Sequence, residues 1–88
     1  MINLKITLSG KVQGVGFRYD ISQAAARLDL KGFVRNEPDG SVYLELEGPK
    51  NVLDEFIAWC KTGPRYAHVD KIETSQADIK KFDAFETM

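Results

Sequence analysis

Residues 10–18 read GKVQGVGFR, with three glycines in seven positions, then an aromatic and an arginine. A tight turn needs one or two residues free to adopt positive φ, so a third glycine points to a loop shaped around something. Gly14 and Gly16 let consecutive backbone N–H groups converge on one point, which makes a nest for an anion. A helix opening at Phe17 would add its unpartnered first-turn N–H groups and the positive end of its dipole. Arg18, in that first turn, would bring a planar fork of donors to the same anion. The spacing is neither that of a P-loop nor that of GxGxxG. Taken alone, the loop reads more simply as a glycine-rich connection, with Arg18 a surface charge paired with Asp20.

A second polar candidate lies in GFVRNEPDGSV at 32–42, where Asn36 ends a short strand just ahead of a turn. In a β-α-β unit the end of the second strand can lie near the first loop. An asparagine there can orient a water through its carbonyl oxygen while its NH₂ donates elsewhere. By itself Asn36 also reads as an ordinary hairpin-opening residue, and that is the simpler account. Other reactive side chains are few. Cys60, the one cysteine, falls on an apolar stripe beside Phe56 and Ile57, where packing is the expected role. His68, the one histidine, is expected on an exposed strand face, so no cluster of nitrogen and sulfur ligands can form. The acidic residues show no spacing that resembles an oxygen-ligand site. Trp59 reads as core edge, Lys80-Lys81 as a solvated strand edge, and Lys11 as a charge near the loop without a direct role.

These groups need elements to hold them. Ile2, Leu4, Ile6 and Leu8 alternate with polar residues and predict a half-buried strand ending at Gly10. Phe17, Ile21, Ala24 and Leu28 recur at helical spacing and predict a helix over about 17–29. GFVRN at 32–36 is a short strand, and EPDGS is hairpin punctuation. Val42, Leu44 and Leu46 alternate against Tyr43, Glu45 and Glu47, which predicts a strand with one wet face. Pro49 suits a helix start, Leu53, Phe56, Ile57 and Cys60 give the stripe of a second helix to about 61, and Gly63-Pro64 ends it. Two more strands are expected over about 66–74 and 79–87. Ile72 is out of phase with Ala67 and Val69, which implies a bulge or a register change there. Phe82 and Phe85 are likewise out of phase. The order β-α-β-β-α-β, with an extension, predicts an α+β ferredoxin-like sandwich: a four- to five-stranded antiparallel-type sheet with two helices on one face. That fold alone says little about activity.

At 88 residues the chain is expected to be a single domain over 1–88, free-standing and without a partner domain. No apolar run reaches the roughly 20 residues of a membrane span, and MINLKITL is too short and alternating for a signal peptide. With one cysteine the fold cannot depend on an internal disulfide, and a cytoplasmic location is the expectation. A net charge of −1 and a pI near 5.8 supply no global attraction to nucleic acid. Phe33, Tyr43 and Tyr66 could stack bases on an open sheet face, but Glu45 and Glu47 on that face argue against it. Any anion must therefore be held by local geometry.

VQGVGFR at 12–18, GFVRNEPDGSV at 32–42 and GPRYAHVDKIE at 63–73 together resemble the three motifs of the acylphosphatase family, in register and at the family's separations. The resemblance implies a phosphate cradle built from the backbone of Gln13, Gly14, Val15, Gly16, Phe17 and Arg18. It implies that Arg18 binds substrate and that Asn36 orients the attacking water. It further implies metal-independent hydrolysis of acyl phosphates to a carboxylate and inorganic phosphate, with no cofactor; a monomer without membrane or nucleic-acid partners is the accompanying expectation. The chemistry is self-consistent: a carboxylate leaves without protonation, so charge stabilisation and water placement suffice. The departure is at the end, where FDAFETM puts Thr87 at a position expected to be apolar. The competing reading is a non-catalytic ferredoxin-like module that binds an anion or a protein partner.

Overall fold

The computed structural model describes residues 1–63 and 66–88. Along the chain run β1 (Ile2–Lys11), α1 (Phe17–Arg27), β2 (Lys31–Asn36), β3 (Val42–Gly48), α2 (Lys50–Thr62), β4 (His68–Ala77) and β5 (Phe85–Thr87). They form one sheet in the order β4-β1-β3-β2-β5. β1 lies antiparallel between β3 and β4, and β2 antiparallel to β3. The short β5 runs parallel to β2, so the sheet is antiparallel except at that edge. This is the ferredoxin-like architecture the element order predicts.

Alternation sets which face is dry. Leu4 opposite Leu46, Ile6 opposite Leu44 and Leu8 opposite Val42 project from β1 and β3 to the same side. The helices cover that side with Phe17, Ile21, Ala24 and Ala25 of α1 and Leu53, Phe56 and Cys60 of α2, all fully buried. Cys60 therefore packs, and burial pushes its thiol up to about 12, so it stays protonated at neutral pH. Trp59 closes the core edge, its ring 6.1 Å from Phe17 and 5.7 Å from Phe56. α2 ends at Gly63 with φ +73; Pro64, also expected to stop it, lies outside the described residues. The phase change in β4 is a bulge: Ser9 pairs with Lys71 and Gly10 with Val69, leaving Asp70 as the extra residue.

Two expectations need correction. The last strand, expected over 79–87, is only Phe85–Thr87, and residues 78–84 form an irregular strap over the other face of the sheet. For that reason the predicted wet face of β3 is not wet: Glu45 and Glu47 are each 3% exposed. Glu47 accepts hydrogen bonds from Asn3 Nδ2 (2.9 Å), the Lys80 backbone N–H (2.5 Å) and the Phe82 backbone N–H (3.1 Å). Glu45 accepts from Asn3 Nδ2 at 3.2 Å and pairs with the Lys80 ammonium, so Lys80, though half-exposed, partners a buried carboxylate. Burial pushes both carboxyls up, but the combined donors outweigh it and hold both below the ordinary value. Phe82 sets its edge against Phe33, with centroids 5.9 Å apart. The out-of-phase phenylalanines thus serve different places: Phe82 clamps the strap, and Phe85 begins β5.

Candidate active site

The loop from Val12 to Gly16 joins β1 to α1 and takes the form its glycines allow. Gly14 has φ +75 and Gly16 φ +76, left-handed values that cost a side-chain-bearing residue about 1–2 kcal/mol. Gly16 is the N-cap of α1, and no side chain caps the helix. The Asp20 N–H returns to the Gly16 carbonyl at 3.2 Å, but among the described residues none of the N–H groups of Gly14 to Arg18 donates to a protein acceptor. A helix start with free N–H groups and a left-handed approach has the geometry that suits an anion.

A single side chain fixes this loop against the β2–β3 hairpin. Gln13 Nε2 donates to the carbonyls of Glu37 and Ser41, 2.8 Å from each. The hairpin is itself stiff: Asp39 accepts from the Ser41 N–H at 2.9 Å and the Ser41 hydroxyl at 2.6 Å, and these bonds lower its carboxyl below the ordinary value. Asn36, the last residue of β2, is carried by that hairpin to the loop. Thus Gln13, expected to contribute only its backbone, is also a strut.

A cleft of about 400 Å³ opens over the loop, lined by Val12, Gln13, Gly14, Gly16, Phe17, Arg18, Tyr19, Ser22, Asn36 and Thr87. It brings Arg18 and Asn36 to one space, together with five of the six cradle residues; Val15, partly buried, is outside the lining. Arg18 is not paired with Asp20. Its Nη1 donates to the main-chain oxygen of Met88, and the Met88 N–H donates to the Val34 carbonyl at 2.9 Å, so the arginine is braced against the β5 end of the sheet. One bond uses one of five guanidinium donors, leaving the fork available to a ligand.

Arg18 is the one charged side chain in the lining, and the lining holds no carboxylate, imidazole or thiol. The one side-chain charge lining the cleft is thus positive, in a chain whose net charge is −1. His68 lies elsewhere, exposed and 2.9 Å from Asp70. Among the described residues no three of His, Cys, Asp and Glu converge as metal ligands. Tyr19, Ser22 and Thr87 are additions that the motifs do not single out. Ser22 stands one turn beyond Arg18, so helical spacing contains it. Thr87 arrives through the strap and leaves no local signal.

Fold and cleft together define an α+β sandwich whose first β–α loop turns uncommitted N–H groups and one arginine toward a cleft. The sequence model of the acylphosphatase family matches residues 4–87. An acylphosphatase from Archaeoglobus fulgidus is 45% identical over 98% of this chain and 97% of its own length. One from Acaryochloris marina is 44% identical over all of this chain and 95% of its own. The crystal structure of acylphosphatase from Bacillus subtilis superposes with a TM-score of 0.96 at 34% identity, covering 100% of this chain and 99% of that one. The chain belongs to the acylphosphatase family, and with it to the enzymes that hydrolyse acyl phosphates.

Proposed function

We propose that this acyl phosphate hydrolase holds the phosphoryl group of its substrate in the N–H cradle of residues 13–18, with the Arg18 guanidinium closing over it. Asn36 orients the attacking water through its side-chain carbonyl. The water oxygen bonds to phosphorus as the bond from phosphorus to the acyl oxygen breaks. That oxygen keeps the electron pair and departs as a carboxylate, while the water's protons pass to the phosphate and solvent. The observation that carries this reading is the makeup of the cleft: uncommitted N–H groups, one arginine and one asparagine, without a carboxylate, imidazole or thiol. Such a set stabilises charge on three phosphoryl oxygens and places a nucleophile, and a carboxylate leaving group asks for nothing more. The same chemistry supports a cofactor-free, metal-independent reaction, with inorganic phosphate as product and competitive inhibitor. Residues 1–88 act as one domain, monomeric and cytoplasmic, without nucleic-acid or membrane partners.

Benzoyl phosphate hydrolysis by wild type, Arg18→Ala and Asn36→Ala tests the roles. Arg18→Ala is expected to lower kcat/KM by about 10²–10³ and to weaken phosphate inhibition. Asn36→Ala is expected to lower kcat by about 10² while phosphate inhibition stays intact. Near-wild-type kcat in Asn36→Ala would falsify the water-orienting role.

A further inference from the structure

The cradle and Arg18 account for the phosphate half of the substrate and leave the acyl half without a partner. A volume of about 400 Å³ falls in the range of pockets that hold whole small molecules, about 300–1,000 Å³, so there is room beside the phosphoryl group. The apolar side chains in the lining are not equivalent. Val12 and Phe17 are each 1% exposed and belong to the core, whereas Tyr19 is 67% exposed. Successive residues of a helix differ by about 100° in direction, so with Phe17 turned inward, Tyr19 stands about 200° away on the solvent side of α1. Its backbone is fixed, since the Ser22 hydroxyl donates to the Tyr19 carbonyl at 2.8 Å.

Direction follows from the reaction. Three phosphoryl oxygens face the cradle, and the fourth, which carries the acyl group, must leave it. In-line attack puts that fourth oxygen on the side of phosphorus away from the water. Asn36 and Thr87 form the β2 and β5 wall of the cleft, and Arg18, Tyr19 and Ser22 form the α1 wall. An acyl group opposite a water held at Asn36 therefore leans toward α1, where the Tyr19 ring is the one largely exposed apolar side chain of the lining.

We propose that Tyr19 is the acyl-selecting residue, its ring packing against the planar acyl portion of aromatic acyl phosphates and favouring them over acetyl phosphate. The proposal rests on the phosphate reading of the cleft. A stacked or edge-on aromatic pair is worth a factor of about three to ten.

The test compares kcat/KM for benzoyl phosphate and acetyl phosphate in wild type, Tyr19→Phe and Tyr19→Ala, with the inhibition constant of inorganic phosphate measured in each. The expected result is a benzoyl-to-acetyl ratio about three- to tenfold lower in Tyr19→Ala and retained in Tyr19→Phe, with phosphate inhibition the same in all three. An unchanged ratio in Tyr19→Ala, with phosphate still competitive, overturns the role of Tyr19 and leaves the cradle standing. A ratio that falls equally in Tyr19→Phe overturns ring packing in favour of the hydroxyl. Failure of phosphate to compete in wild type overturns the cradle and the Tyr19 role with it.

Discussion

Glu47→Gln is a nearly isosteric change at a fully enclosed carboxylate, and the geometry fixes its cost. One carboxyl oxygen takes Asn3 Nδ2 and the Lys80 N–H; the other takes the Phe82 N–H. A glutamine offers one oxygen and one NH₂. If the oxygen keeps Asn3 and Lys80, the NH₂ faces the Phe82 N–H, donor against donor. Two charge-assisted hydrogen bonds become neutral, at about 1 kcal/mol each, and one buried donor is orphaned at about 1–3 kcal/mol. The sum is about 3–5 kcal/mol, against a total stability of about 4–13 kcal/mol for a chain of this size. Thermal unfolding followed by circular dichroism should show Tm at least about 12 °C lower. Native-state hydrogen exchange should show the Lys80 and Phe82 amides losing their protection. A Tm drop under about 4 °C, or wild-type amides at 80 and 82 that exchange as fast as an open loop, would refute the reasoning.

Acid should loosen the same latch. Because the folded-state values of Glu45 and Glu47 lie below their ordinary 4.5, their contribution is complete above that pH and is lost as pH falls through the lowered values. The urea midpoint of the wild type should therefore be level from pH 7 to about 5 and fall below about 4.5, with a shallower fall in Glu47→Gln. Gly16→Ala meets no atom within 4 Å, so its penalty is conformational, about 1–2 kcal/mol. Activity should drop more than stability, since the same φ aims the N–H groups; parallel measurement of kcat/KM and Tm checks this, and an equal effect on both would contradict it.

The elements with a single clear period were legible from residue types alone. β1, α1, β2, β3 and α2 all stand where alternation or helical spacing places them, and the Asp70 bulge follows from Ile72 being out of phase. The cleft was half legible. The glycines, Arg18 and Asn36 each read alone as ordinary turn or surface residues, and only the two motifs taken together single them out; the β-α-β topology then brings them to one cleft. The rest depended on residues 78–84, which follow no period. Nothing local marks Asp-Ile-Lys-Lys-Phe as a strap, so nothing local says that Glu45 and Glu47 are covered. An alternating strand reports only that its two faces differ, not what lies over the polar one. Thr87 illustrates the same gap: a hydroxyl where an apolar residue was expected sits at the cleft, not in the core.

The two outer strands of the sheet also bear on how the protein behaves when concentrated. β4 has one neighbour, and its outer edge is interrupted by the unpaired Asp70 and flanked by Lys71 and Glu73. At the far side β5 is three residues long. A strand that would join another chain needs a long, flat, uninterrupted row of N–H and C=O groups, which the bulge shortens to residues 71–77 on β4 and the length of β5 limits to three residues. The bulge and the truncated last strand therefore shorten the open edges of the sheet, which works against edge-to-edge association into fibres.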